Sequence, residues 1–335
     1  MIQNVVILVL SLGIILLGCE LFTNGIEWLG KKLKLGDGVV GSILSAVGTC
    51  LPETLIPIIA LLFSKEQVNS SDIGIGAIIG APFMLATLAF FITGASVIVF
   101  ASRRKTKYEI NVNTDILSRD ISFFVLAYIC AILASLISST VIKNIAAFLL
   151  IGCYIYYVVK TLNNDEASND EIDELIFARI FNSSHGISTI ILQIALALGS
   201  IIIGAELFIG SIEVVATVLK VSTLVLSIII TPIATELPEK FNSIIWISKN
   251  KDTLSLGNIT GAMVFQSCIP VSIGMLATNW QLDTVTLVSS FLALASALVT
   301  FIWIKTHRKL TPAPLLAGGF FYAFFICFLI VRGFK

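Results

Sequence analysis

Gly48-Thr49-Cys50-Leu51-Pro52-Glu53 returns later in the chain as Ala234-Thr235-Glu236-Leu237-Pro238-Glu239. Both copies lie inside long apolar segments, where a carboxylate is expensive: a charged side chain at the bilayer centre costs about 2.5–3.5 kcal/mol on insertion scales. The proline beside each glutamate removes a backbone donor and interrupts the helix. An interrupted helix is tolerated at membrane depth where the freed backbone lines a cavity or is buried in protein. A threonine hydroxyl, loosened carbonyls and a glutamate together offer oxygens to a hard cation. The two copies therefore read as the halves of one ion site.

The rest of the composition supports a membrane setting. Of 335 residues, 57% are hydrophobic and 13% charged, against about 25% charged in soluble domains. A formal net charge of zero leaves no basic surface for nucleic acid. Six cysteines, at 19, 50, 130, 153, 268 and 327, are scattered through apolar runs with no CxxC pair, which argues against disulfides and zinc. His185 and His307 read as solvated residues of polar connections. A helical span needs about 20 apolar residues. Ten candidates meet that length, over 2–30, 38–63, 73–101, 119–137, 140–161, 188–219, 222–247, 255–278, 283–304 and 312–332. No run has the short alternation of a barrel strand. The first reads as a span rather than a removed signal peptide, because no Lys or Arg precedes it and no small-residue cleavage site follows. The expected fold is an all-α membrane protein of ten transmembrane helices.

Basic residues give the orientation. Lys31, Lys32, Lys34, Arg103, Arg104, Lys105, Lys107, Lys160, Arg179, Lys249, Lys251, Lys305, Arg308 and Lys309 fall on one side; Lys65, Lys143, Lys220, Arg332 and Lys335 fall on the other. The positive-inside rule places the richer side in the cytoplasm and both termini outside. The longest connection, 162–187, carries Asp165, Glu166, Asp170, Glu171, Asp173 and Glu174. It reads as an acidic linker or as a cation-sensing loop, although its spacing matches no EF-hand.

The halves flanking that linker, 1–161 and 188–335, are related. Gly18–Glu53 aligns without a gap on Gly204–Glu239, with 14 of 36 positions identical. Glu20 meets Glu206, Glu27 meets Glu213, Lys34 meets Lys220, and Thr49 and Glu53 meet Thr235 and Glu239. A second match sets Gly76-Ala-Ile-Ile-Gly80 against Gly257-Asn-Ile-Thr-Gly261. Each half holds five spans, an odd number, so the second is inverted relative to the first. Inverted repeats around a midplane site built from discontinuous helices are the signature of secondary transporters.

Glu53 lies about fifteen residues into its span and Glu239 about seventeen into its own, near mid-depth at 1.5 Å per residue. The inverted repeat brings them face to face. Two facing carboxylates repel, and a divalent cation, protons or several monovalent cations resolve that conflict; competition among them is a physical basis for antiport. Thr49 and Thr235 stand four residues before these acids, on the same helix face, either as ligands or bonded to carbonyls of their own helices. Glu236, opposite Cys50 in the alignment, adds a third carboxylate. It raises the site's charge, carries protons, or reaches toward the broken backbone. Gly76, Gly80, Gly257 and Gly261 have the spacing of close helix packing, or else bare backbone toward the site. Glu20, Glu27, Glu206 and Glu213 read as anchors between helices, with Glu27 in reach of Lys31 at i+4.

These residues resemble the two alpha repeats of the cation/Ca²⁺ exchanger superfamily, and most of all its Na⁺/Ca²⁺ exchangers. The family pattern is Gly-Thr-Ser-x-Pro-Glu/Asp, followed by Gly-Asn-x-x-Gly-Ser-Asn-x-x-Asn/Asp. Gly257-Asn258-Ile-Thr-Gly261 matches the start of the second part, and Gly18/Glu20 and Gly204/Glu206 resemble the first-helix pattern. The resemblance implies ten helices, with helices 2, 3, 7 and 8 around the site and long helices 1 and 6 moving across them. It implies Glu53 and Glu239 as divalent ligands, Thr49 and Thr235 at flanking Na⁺ ions, and Gln266 as the polar residue that ends the second motif. The chain departs from the pattern at Cys50 and Glu236, which replace the family serine, at Ala81 and Ala262, and at Ala77 and Leu85. Several neutral oxygens that hold Na⁺ in the family are thus absent.

The expected activity is exchange of Ca²⁺, or a similar divalent cation, for Na⁺ in a prokaryotic cytoplasmic membrane, with lipid and inorganic cations as partners, no nucleic acid and no cofactor. Two alternatives stand beside it. One is a divalent cation/H⁺ antiporter with Glu236 as the proton site; the other is a non-transporting cation-binding protein on the same scaffold. No His-Glu-x-x-His and no Ser or Asp dyad points to an enzyme.

Overall fold

The computed structural model describes residues 2–50, 54, 70–163, 173–181, 185–218 and 236–332. In chain order these form α1 (Ile2–Leu33), α2 (Asp37–Cys50), α3 (Ser70–Met84, continued through Leu85–Ala89 and Phe90–Val99), α4 (Thr114–Ser135), α5 (Thr140–Asn163), the short α6 (Ile176–Phe181), α7 (Ile187–Val218), α8 (Leu237–Ser248), α9 (Asp252–Ala277), α10 (Thr284–His307) and α11 (Pro312–Arg332). Eight helices among the described residues are long and apolar enough to cross a membrane. No strand forms among the described residues; one isolated antiparallel bridge joins Ile110 to Leu310. The spans expected over 38–63 and 222–247 are described only through α2 and α8, and their remaining parts lie outside the described residues. Large apolar side chains such as Leu17, Leu126, Phe148 and Phe320 stand exposed along the long helices, as lipid-facing surfaces require.

Local chemistry sets the helix ends. The span expected from 119 begins at Thr114, because the Asn113 side chain accepts from the Asp115 and Ile116 amides at 3.0 and 3.2 Å and caps α4. Asp283 caps α10 by accepting from the Thr286 amide at 2.8 Å. His307, expected in a polar connection, closes the last turn of α10 and stacks on Trp303. Pro82 in α3 is followed by a π-helical turn, Leu85–Ala89, and α2 carries another at Val40–Ser45. Such turns free a carbonyl from the regular ladder. Ser296 of α10 donates to the Ala86 carbonyl at 2.6 Å, so the first widened turn is met by a hydroxyl from a neighbouring helix.

Two packing systems follow. α1 and α7 lie along one another, each giving a glycine to the crossing. A Cβ on Gly18 would stand 2.8 Å from Ile201 Cγ1, and one on Gly204 would stand 2.9 Å from Ile15 Cγ1. The second system is built on α9, buried along nearly its whole length and packed against α2, α3, α4, α5 and α8. Tyr128 of α4 donates to the Ile79 carbonyl of α3 at 2.6 Å, and Trp280 after α9 donates to the Ala131 carbonyl at 3.0 Å. Lys143, at the start of α5, is buried and donates to the Asn279 and Trp280 carbonyls.

At one end of the bundle, basic residues meet acids across helices. Arg104 makes a fully buried two-pronged pair with Asp252, each N–O distance 2.7 Å, and also donates to the Ile247 and Glu109 carbonyls. Lys249 pairs with Glu20 of α1 at 3.2 Å and with Asp173 at 3.0 Å. Glu27, expected opposite Lys31, instead takes Lys251 and the Trp246 indole N–H at 2.8 Å, while Lys31 lies over the Trp28 ring. The partner at i+4 loses because Trp246 of α8 and Lys251, just before α9, bring an indole donor and a second cation to a buried carboxylate. The side chains of Glu206 and Glu213 lie outside the described residues.

The described end of the acidic connection straps onto this cluster. Trp28 donates to the Asp173 carbonyl at 2.9 Å, and Asn24 accepts from the Ile176 amide at 3.0 Å. His185, expected as a solvated loop residue, stacks on Trp28. Asp165, Glu166, Asp170 and Glu171 lie outside the described residues.

Candidate ion-binding site

The site is set by the crossing of α2 and α9. A Cβ on Gly261 would stand 2.1 Å from the Ser42 carbonyl oxygen, and one on Gly41 would stand 2.9 Å from the Leu254 carbonyl oxygen. A Cβ on Gly257 would stand 3.1 Å from Ser42 Oγ. Small residues on both sides thus let the two backbones touch. Among the described residues, no atom lies within 4 Å of a Cβ added to Gly76 or Gly80. The repeat counterpart of Ser42, Ile228, lies outside the described residues.

One turn beyond the crossing, polar groups from both helices converge. Ser45 donates to Asn258 Oδ1 at 2.7 Å. The Thr49 hydroxyl lies 3.3 Å from the same oxygen and 3.1 Å from the Ser45 carbonyl of its own helix. Thr49 therefore makes the back-bond within α2, and its hydroxyl also faces an oxygen of α9. Asn258 Nδ2 is buried and finds no hydrogen-bond partner among the described residues, as do Thr54 Oγ1 and both amide atoms of Asn242 on α8. Buried amides and hydroxyls are normally paired; the Nδ2 donors call for an acceptor such as water, while the Thr54 Oγ1 and Asn242 Oδ1 oxygens have lone pairs free for a donor or a cation. α8 and α9 are held in register close by, where Ser243 and Ser255 each donate to the other's carbonyl at 3.3 and 3.0 Å. Cys50 and Gln266 are both buried, on α2 and α9.

α8 begins at Leu237, with Pro238 in its first turn and Glu236 as its N-terminal flanking residue. Glu236 is buried, and Lys240 reaches back to its Oε2 at 2.8 Å. Both members of this i, i+4 pair are at most 3% exposed. Glu236 is thus an acid already matched by a cation. Glu53 and Thr235, and the side chain of Glu239, lie outside the described residues; the Glu239 backbone belongs to the first turn of α8.

Four residues absent from the sequence-based set belong to this region: Lys240, Asn242, Asn258 and Asp120. Lys240 was legible as an i+4 partner of Glu236, and Asn258 as the amide beside Gly257. Asp120 on α4 gave no such signal. It is fully buried, and its Oδ2 accepts from Ser42 of α2 at 2.6 Å and from Thr260 of α9 at 2.9 Å, with the Arg119 guanidinium on Oδ1. It ties three helices together directly behind the glycine crossing.

The model of the family described as "Sodium/calcium exchanger protein" matches residues 3–162 and 189–334. The chain belongs to the sodium/calcium exchanger protein family. An exchanger-family match on both sides of the acidic connection follows the same division as the internal repeat. Among relatives, an uncharacterized membrane protein of Methanocaldococcus jannaschii is 25% identical over 291 residues, covering 84% of this chain and 87% of its own. The inner membrane protein YrbG of Escherichia coli is 21% identical over 321 residues, covering 94% and 93%. Among solved structures, the sodium-calcium exchanger NCX_Mj soaked with Na⁺ and Ca²⁺ superposes with a TM-score of 0.76 over 98% of each chain at 22% identity. The same exchanger soaked without either ion gives 0.77 over 97% and 98%, at 21% identity. That likeness is one of fold.

Proposed function

We propose that this exchanger-family chain is a secondary active antiporter that exchanges Ca²⁺, or a similar divalent cation, for Na⁺ by alternating access. The observation that carries the reading is the duplicated Thr-x-Leu-Pro-Glu element, one copy beginning at Thr49 of α2, which meets Asn258, and the other running into the first turn of α8. Glu53 and Glu239 are the central divalent ligands. Thr49, Thr235, Gln266 and Cys50 surround them, and Glu236 stands at the flank with Lys240. Ten helices form two inverted five-helix repeats, 1–161 and 188–335, joined through 162–187. The end rich in Lys and Arg faces the cytoplasm of a prokaryotic cell, with both termini outside. α1 and α7, joined to the rest at the Glu20–Lys249 and Glu27–Lys251 pairs, form the element that slides over the α9-centred body.

The test is ⁴⁵Ca²⁺ uptake into proteoliposomes under an imposed Na⁺ gradient and, separately, an imposed pH gradient. Uptake driven by Na⁺ and abolished in Glu53→Gln and Glu239→Gln is the expected result. Uptake driven by the pH gradient alone replaces Na⁺ with H⁺ as the coupling ion. Uptake under Na⁺ that survives both substitutions overturns the site.

A further inference from the structure

The repeat alignment that pairs Glu53 with Glu239 also pairs Cys50 with Glu236 and Thr54 with Lys240. In the first half this i, i+4 pair is neutral, a thiol and a hydroxyl, both buried. In the second half it is a buried ion pair of 2.8 Å. The two charges enter together, on one side only, and they cancel. A lone acid in this duplicated element would add a third negative charge to the two of Glu53 and Glu239. Lys240, covalently tethered, removes it. A buried ion pair gives little net stability over neutral residues of similar volume, so packing gives no reason for two charges where Cys50 and Thr54 suffice.

We infer that Lys240 is a built-in counter-cation that occupies the place of one transported monovalent cation and makes the exchange electroneutral. The inference rests on the exchange reading above. With Glu236 matched by Lys240, the two remaining carboxylates carry two negative charges. One divalent cation or two monovalent cations neutralise them equally, so a cycle of two Na⁺ for one Ca²⁺ moves no net charge. With Lys240 removed, three carboxylates carry three charges. Three Na⁺ then neutralise the site, one Ca²⁺ leaves a negative charge on it, and the cycle moves one net charge.

The distinction is measurable in the full chain in proteoliposomes. Ca²⁺ accumulation at a fixed Na⁺ gradient is read while a K⁺/valinomycin clamp steps the membrane potential. One charge per cycle shifts the accumulation ratio about fiftyfold per 100 mV. Wild type is expected to be insensitive to the clamp. Lys240→Met is expected to acquire the fiftyfold dependence, and the double variant Glu236→Gln/Lys240→Met to lose it again. Cys50→Glu, which installs the acid at the counterpart position without its lysine, is expected to acquire the same dependence and serves where Lys240→Met does not fold. Wild-type accumulation that itself shifts fiftyfold per 100 mV overturns the counter-cation role and leaves the exchange reading intact. So does a Lys240→Met protein that accumulates Ca²⁺ without potential dependence. Absence of Na⁺-driven Ca²⁺ accumulation in wild type overturns both.

Discussion

Gly18 of α1 packs against Ile201 of α7, and their counterparts at the repeat offset, Gly204 and Ile15, make the same contact in reverse. A contact in which i meets j while the counterpart of i meets the counterpart of j is the mark of a two-fold interface. Here one chain makes it with itself. Each glycine allows a close approach that any side chain would block.

Gly18→Leu should therefore hold α1 and α7 apart. Overpacking a tight contact costs about 1–3 kcal/mol, and Gly204→Leu should act with the same sign and similar size, because the two sites are equivalent. Thermal unfolding in detergent checks the stability change, and reconstituted flux checks motion. An unchanged melting temperature with Leu at both positions would show that the crossing is loose.

Arg104 and Asp252 form the other fixed point. The guanidinium binds both carboxylate oxygens and three backbone carbonyls, and Asp252 also accepts from the Asn111 amide at 2.8 Å. Removing one member of a buried pair costs about 3–5 kcal/mol, because the other charge is stranded. Arg104→Ala should lower stability by that order, and Arg104→Lys should recover little, since an ammonium cannot repeat the two-pronged geometry. Denaturation monitored by tryptophan fluorescence distinguishes the cases; equal stability of Arg104→Lys and wild type would deny the fork its role.

Most of the helices were legible in the sequence, because 20-residue apolar runs leave few other solutions. The described long helices begin within five residues of the expected starts, and the largest shift, at Thr114, comes from a local cap. Partners across the bundle were less legible. Glu27 had a lysine at i+4, yet its partners Trp246 and Lys251 are more than 200 positions away. Asp120 depends on hydroxyls from α2 and α9, whose convergence is fixed by a glycine crossing that spacing alone does not define. Motif spacing marks the acids of a site. The polar atoms that complete it are chosen by tertiary packing.

The strap between Asp173 and Lys249 titrates. A hydrogen bond from Lys249, together with its charge, holds the Asp173 carboxyl below its ordinary value of 3.8. Burial pulls Lys249 down, but the Asp173 and Glu20 carboxylates outweigh it and hold the ammonium above its ordinary 10.5. The lowered acid contributes stability above its ordinary value and loses it as pH falls through the shifted one; the raised base contributes below its ordinary value and loses it as pH rises through its own. The strap should thus hold across the neutral range and release at the acid end. Because the pair is largely exposed, the effect is about 1 kcal/mol or less. Protection from hydrogen exchange over 173–181, relative to the intrinsic rate at each pH, should fall below pH 4, and Asp173→Asn should show the lower protection already at pH 7. A variant that keeps the wild-type profile would assign the protection to the Trp28 and Asn24 bonds alone.

Asn258 links the glycine crossing to the proposed ion site. Its Oδ1 receives Ser45 at 2.7 Å and lies 3.3 Å from the Thr49 hydroxyl, while its Nδ2 is buried without a partner among the described residues. Asn258→Ala removes the acceptor that aligns both hydroxyls and leaves them to back-bond within α2. A hydrogen bond of this kind is worth about 0.5–1.5 kcal/mol net, so the half-saturating concentration of Ca²⁺ or Na⁺ should rise about two- to tenfold. Stability should change little, because the substitution also deletes an unsatisfied buried donor. Asn258→Asp should separate alignment from charge: it keeps an acceptor for Ser45 and adds a negative charge behind Thr49, which favours the divalent over the monovalent ion. Half-saturation for both ions, measured beside the melting temperature, decides the matter. Unchanged half-saturation in Asn258→Ala with a large loss of stability would make Asn258 a packing residue of the α2–α9 crossing and place the ion path elsewhere.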